Sequence, residues 1–191
     1  MDKVILTDCD GVLLDWEYAF ETWMSSKGYV QKTRECYDQA ERYGIVKSDI
    51  KKLIRDFNES AAIGFLPSLR DSIHYVKMLH EKKGYIFHCI TSLSKNRYAQ
   101  ELRTQNLRKL FGVTAFDRFM YLDTGADKDE ALWEYRNTGY LWIEDKLENA
   151  IVGANQGLSP ILIEHRHNMV DVAGHSDIPR IKNWKELYEL L

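Results

Sequence analysis

Apolar residues along the chain fall into two patterns. Four short runs, VILTD (Val4 to Asp8), YIFHCIT (Tyr85 to Thr91), YLWIED (Tyr140 to Asp145) and PILIEH (Pro160 to His165), are continuous and rich in branched and aromatic residues. They read as strands buried on both faces. A fifth run, FDRFMYLD (Phe116 to Asp123), carries the same signal more weakly. Between the strands, apolar residues recur at helical spacing. LPSLRDSIHYVKMLHEKKG opens with Pro67 and closes with Gly84, and SKNRYAQELRTQNLRKLFG opens with Ser94 as N-cap and closes with Gly112. KLENAIVGANQG runs from Lys146 to Gly157, and NWKELYELL follows at Asn183 to Leu191.

Alternation of this kind predicts an α/β fold, a doubly wound and mainly parallel sheet with helices on both faces. One stretch breaks it. From residue 15 to residue 64 three helical segments follow one another, WEYAFETWMSSKG, QKTRECYDQAERYG and SDIKKLIRDFNES, with no strand between them. The stretch is expected to form a small helical cap inserted after the first strand, leaving 1–14 and 65–191 as the core. Met169 to Pro179 reads as a loop.

Composition narrows the class. The 191 residues are 45% hydrophobic and 29% charged, enough for one sizeable core with an appended subdomain. A net charge of −3 provides no basic face for a long nucleic acid. No apolar run approaches the roughly 20 residues of a membrane span. The cysteines, Cys9, Cys36 and Cys89, are widely spaced and without a Cys-x-x-Cys pair, as for reduced thiols in a cytoplasmic protein.

Candidate chemistry gathers where the predicted strands end, the edge at which such sheets bind ligands. Asp8 and Asp10 follow the first strand, Thr91 and Ser92 the second, and Glu144 and Asp145 close YLWIED. An isolated Asp-x-Asp is most simply a cap and a turn, and Asp10-Gly11 is itself a turn signal. The arrival of a second acidic pair and a hydroxyl pair at other strand ends is what argues for a site.

With these residues in place the chain resembles the haloacid dehalogenase-like superfamily of phosphotransferases. Asp8-Cys9-Asp10-Gly11-Val12 looks like its first motif, Thr91 its second, Lys128 in GADKDEAL its third, and IEDKLENAIVGANQG its fourth. GFLPSLRDSI is similar to the segment where the chain returns from the cap in deoxyribonucleotidase-like and phosphomutase-like members. The resemblance implies a Mg²⁺-dependent phosphomonoesterase in which Asp8 attacks phosphorus and forms an aspartyl-phosphate, with Asp10 as acid and base. It implies metal ligation by Asp8, Asp145 and the Asp10 backbone carbonyl, with Glu144 a further ligand or part of the acidic surroundings. Thr91, Lys128 and nearby backbone amides would stabilise the phosphoryl group. Lys146, Lys95 and Lys109 compete with Lys128 for that role, and Asn149 is expected to orient its neighbours.

The substrate implied is a small phosphorylated metabolite, a nucleoside monophosphate being the best single choice. Ser92, Trp16 and Phe65 are the expected substrate contacts. HRH at His165 to His167 reads as a strand end or substrate rim and not as a metal site, since it has no third ligand nearby in sequence. A phosphomutase, a sugar-phosphate phosphatase and a non-catalytic metal- or phosphate-binding module remain as alternatives. The sequence says nothing of oligomeric state.

Overall fold

The computed structural model describes residues 3–33, 38–169 and 177–191. Six strands, β1 (Val4–Thr7), β2 (Ile86–Ser92), β3 (Phe116–Leu122), β4 (Leu141–Glu144), β5 (Ser159–Ile163) and β6 (Arg180–Ile181), form one sheet in the order β3-β2-β1-β4-β5-β6. Every pairing is parallel. Helices α1 (Trp16–Ser26), α2 (Gln39–Tyr43) and α3 (Lys47–Asn58) lie between β1 and α4 (Ser72–Lys83). Then come α5 (Arg97–Phe111), α6 (Asp129–Trp133), α7 (Leu147–Asn155) and α8 (Trp184–Leu190).

The architecture is the doubly wound α/β sheet that the pattern predicts. Successive strand residues face opposite sides, so each strand feeds two cores. Ile5, Phe87 and Ile143 belong to one, with Trp184 and Leu187 of α8. Leu6, Ile90 and Trp142 belong to the other, with Leu132 and Tyr135. Helix α7 reaches Trp142 closely because Gly153 lacks a side chain; a Cβ there would lie 2.5 Å from Trp142 Cδ1.

Strand order reverses at β1, which pairs with β2 on one side and with β4 on the other. A crevice opens outside the strand ends at such a point. Asp8 follows β1 there, and Glu144 ends β4.

Several boundaries differ from the sequence expectation. The helix expected from Pro67 begins at Ser72, because residues 67–69 instead pair with the chain leaving β1. Asp15 N–H donates to the Pro67 carbonyl and Leu69 N–H to that of Leu13, each at 2.9 Å. Ser94 is not the N-cap of α5. Asn96 is, its side-chain oxygen accepting from Tyr98 N–H at 2.9 Å and Ala99 N–H at 3.2 Å, while Ser94 turns to Glu59 at 2.6 Å. Of the helix expected over 31–44, only α2 is found; Gln31 to Thr33 are not helical, and residues 34–37, with Cys36, lie outside the described residues. Most of the expected loop at 169–179 also lies outside them, and β6 follows it directly.

Candidate active site

The chain leaves β1 in a tight turn knotted on Cys9, whose carbonyl accepts from Leu13 N–H at 2.8 Å and Leu14 N–H at 2.9 Å. Gly11 makes this turn possible. Its φ of +75° suits glycine, and a Cβ would lie 2.4 Å from Asp145 Oδ2. The turn therefore presses its backbone against the acidic end of β4.

Asp8, Glu144 and Asp145 each offer a carboxylate oxygen within 4.8 Å of the others, and all three residues are buried. Lys128 is set among them, 2% exposed, with Nζ 2.9 Å from Asp8 Oδ2 and 2.8 Å from Glu144 Oε2. The other Glu144 oxygen accepts from Lys146 N–H at 3.1 Å and from the Asn149 side-chain amide at 3.2 Å. Glu144 is thus fully engaged by protein donors. Asp8 Oδ1 is buried with no hydrogen-bond partner. An orphaned carboxylate oxygen beside a second carboxylate is a hard oxygen donor set, and it fits a divalent cation such as Mg²⁺.

Burial pushes the Asp8 carboxyl above its ordinary range, against the pull of Lys128. Burial likewise pushes Glu144 up to about 8, again against Lys128. For Lys128 burial works against the charge, but Asp8 and Glu144 outweigh it and hold the ammonium protonated.

A cleft of about 1400 Å³ opens over these groups, between the sheet edge and the inserted helices. Asp8, Asp10, Thr91, Ser92, Lys128, Glu144, Asp145 and Trp16 all line it. Ser92 Oγ donates to the Ala126 carbonyl at 2.8 Å, and Thr91 is 1% exposed. Trp16 stacks on Phe20 with centroids 4.7 Å apart and donates its indole N–H to Asn58 Oδ1 at 3.0 Å. Phe65 corrects the expectation. It ends the short 3-10 turn Ala61–Phe65, is 74% exposed, and does not line the cleft. Tyr18, in the first turn of α1, lines it instead.

Several groups that hold the site were not singled out from the sequence. Arg103 of α5, fully buried, forms an ion pair with Asp10 and donates to Cys9 Sγ at 2.9 Å. Asn168 donates through its amide to the Asp145 carbonyl at 2.7 Å and the Ile163 carbonyl at 2.8 Å. The HRH segment faces the same place. His165 Nε2 contacts the Gly11 carbonyl at 2.6 Å, and His167 Nε2 lies 3.4 Å from Asp145 Oδ2. The segment that the sequence marks as a strand end or substrate rim thus sits against the acidic edge.

No family model and no curated protein matches the sequence. Solved structures do match in fold. A haloacid dehalogenase-like family hydrolase from Streptococcus pneumoniae superposes with a TM-score of 0.69 at 14% identity, covering 99% of this chain and 98% of its own. The D,D-heptose 1,7-bisphosphate phosphatase from B. bronchiseptica, solved with magnesium and phosphate, gives 0.62 at 12% identity over 98% and 97%. The HAD-hydrolase YfnB from Bacillus subtilis, bound to magnesium, gives 0.62 at 15% over 100% and 98%. The doubly wound sheet with its acidic carboxyl edge therefore has the fold of the haloacid dehalogenase-like hydrolases.

Proposed function

We propose that this chain is a Mg²⁺-dependent phosphomonoester hydrolase working through an aspartyl-phosphate on Asp8, with residues 15–64 as a cap over the substrate. The observation that carries the reading is the buried, unpartnered Asp8 Oδ1 at the floor of the cleft, flanked by Lys128 and Asp145.

One carboxylate oxygen of Asp8 attacks phosphorus in line while the other stays toward the cation, and the new O–P bond forms as the bond to the ester oxygen breaks. The departing oxygen takes a proton from Asp10. Water then attacks the acyl phosphate, giving its proton to Asp10 and releasing inorganic phosphate with Asp8 restored. Lys128 neutralises charge that collects around Asp8, and the Thr91 hydroxyl, with backbone amides near Cys9 and Ser92, donates to the phosphoryl oxygens. Asp8, Asp145 and the Asp10 carbonyl would hold the cation, with Glu144 fixing Lys128. A cation bound there offsets the repulsion among the carboxylates and polarises the phosphoryl group.

The substrate class is a small phosphorylated metabolite, and a nucleoside monophosphate suits the indole of Trp16 and the ring of Tyr18 in the cleft. Hydrolysis of p-nitrophenyl phosphate that requires Mg²⁺, stops with a chelator and is lost in Asp8→Asn supports the assignment; turnover that persists in Asp8→Asn overturns it. A metabolite panel in which a sugar phosphate outperforms every nucleotide overturns the nucleotide assignment alone.

A further inference from the structure

Arg103 is the largest fully buried charged side chain among the described residues, and the reaction outlined above gives it no task. It is 0% exposed and does not line the cleft, so it does not touch a substrate there. It comes from α5, on the face that also buries Ala99, Asn106 and Leu107, a spacing of one helical stripe. A buried guanidinium demands a partner. Its Nη1 takes Asp10 Oδ1 and Cys9 Sγ, and Nη2 lies 3.4 Å from Asp10 Oδ2. The guanidinium therefore holds Asp10 Oδ1 closely and reaches Oδ2 only at the limit of a hydrogen bond, and it holds the residue between the two aspartates as well. A planar fork held on a carboxylate fixes the orientation of the carboxyl plane, which a single donor does not. The Asp10 side chain is 22% exposed, so its open side faces the cleft while its closed side is on Arg103.

We infer that Arg103 is a positioning residue for Asp10, holding one carboxyl oxygen so that the other is presented to the ester oxygen as phosphorus is transferred. The inference rests on the proposed phosphatase reaction and adds to it the group that aims the acid. Misplacing an acid by an ångström costs on the order of 10²-fold, and the cost falls on the step that needs the proton.

The test compares two esters. An alkyl phosphate leaves as a strongly basic alkoxide and needs Asp10; p-nitrophenyl phosphate leaves as a stable phenolate and needs it little. kcat/KM reports the steps through Asp8 phosphorylation, so the later attack of water does not enter. Arg103→Lys is expected to lower the alkyl-to-aryl ratio of kcat/KM by about 10²-fold, as Asp10→Asn does, and to lower it no further when added to Asp10→Asn. Equal loss on both esters, the signature of a merely structural arginine, overturns the inference and leaves the phosphatase reading standing. A wild-type protein inert toward both esters with Mg²⁺ overturns the reading itself. Should Arg103→Lys fail to fold, the crystal structure of the wild type with Mg²⁺ and aluminium fluoride decides. Arg103 on one Asp10 oxygen with the other on the leaving-group side supports the inference, and Arg103 detached from Asp10 overturns it.

Discussion

Replacing Lys128 by methionine removes the cation set between Asp8 and Glu144 while keeping most of the length of the side chain. Lys128 is 2% exposed, and its two ion pairs, at 2.9 and 2.8 Å, join partners whose side chains are 10% and 0% exposed. Water screens little of this. Breaking a buried pair by deleting one partner costs about 3–5 kcal/mol, because the remaining charge has no compensation. Here two carboxylates are left, with Asp145 as a third within 4.8 Å. In a chain of this size each kcal/mol lowers the thermal midpoint by roughly 2–4 °C, so the expected fall is about 6–20 °C. Thermal unfolding followed by circular dichroism reads it directly at pH 9, where Glu144, pushed up to about 8, carries its charge beside Lys128. Adding Glu144→Gln should return part of the loss, since it removes one of the stranded charges. Millimolar Mg²⁺ should raise the midpoint of Lys128→Met more than that of the wild type, because the site is then more negative. A midpoint within about 2 °C of wild type, or no added response to Mg²⁺, would refute the role of Lys128 as the buried counter-ion of the cluster.

Other outcomes follow from the same geometry. Gly11→Ala forces a left-handed turn on a residue with a Cβ, costing about 1–2 kcal/mol, and drives that Cβ into Asp145; the Mg²⁺ concentration for half-maximal hydrolysis should rise about 10–100-fold. Asn168→Ala leaves the Asp145 and Ile163 carbonyls without their amide donor and should cost about 1–3 kcal/mol in urea unfolding, with the Mg²⁺ requirement raised as well. His88 has its pKa lowered from 6.5 chiefly by burial, so the folded chain binds its proton less readily than the unfolded one. The stability this gives is present above pH 6.5 and is lost as the pH falls toward the lowered folded value. His88→Gln, which keeps a partner for Tyr135, should flatten the decline of the unfolding free energy below pH 6.5.

The sheet was legible because its central strands are buried on both faces and so carry unbroken apolar runs. The weak signal of β3 has the same cause in reverse: it is an edge strand, and Asp117 and Arg118 face solvent. β6 escaped because two residues are too few to carry a period. Local turn chemistry misled at Ser94, where Asn96 makes two cap bonds to the helix and Ser94 makes none. In the site, Asp8, Thr91 and Asp145 were visible because each stands at a strand end, where the topology converges, whereas Lys128, beyond the end of β3, came only from the resemblance. Arg103 was not, since an arginine in YAQELRTQNLRKLF reads as part of a solvated face. Its placement four residues after Ala99 and four before Leu107 puts it on the apolar stripe, and that was the available clue. Phe65 failed for the opposite reason. Its position at the return from the insertion says where the chain crosses, while the side chain's direction is decided by the 3-10 turn that carries it.

The central claim is that phosphorus is transferred to Asp8. The direct measurement is to quench the protein during turnover of a phosphate ester with Mg²⁺, reduce the acyl phosphate with borohydride and map the peptides by mass spectrometry. Conversion of Asp8 to homoserine, dependent on both substrate and Mg²⁺, is the predicted result. Steady turnover with Asp8 unmodified, or with the modification on Asp10 or Asp145, would contradict it.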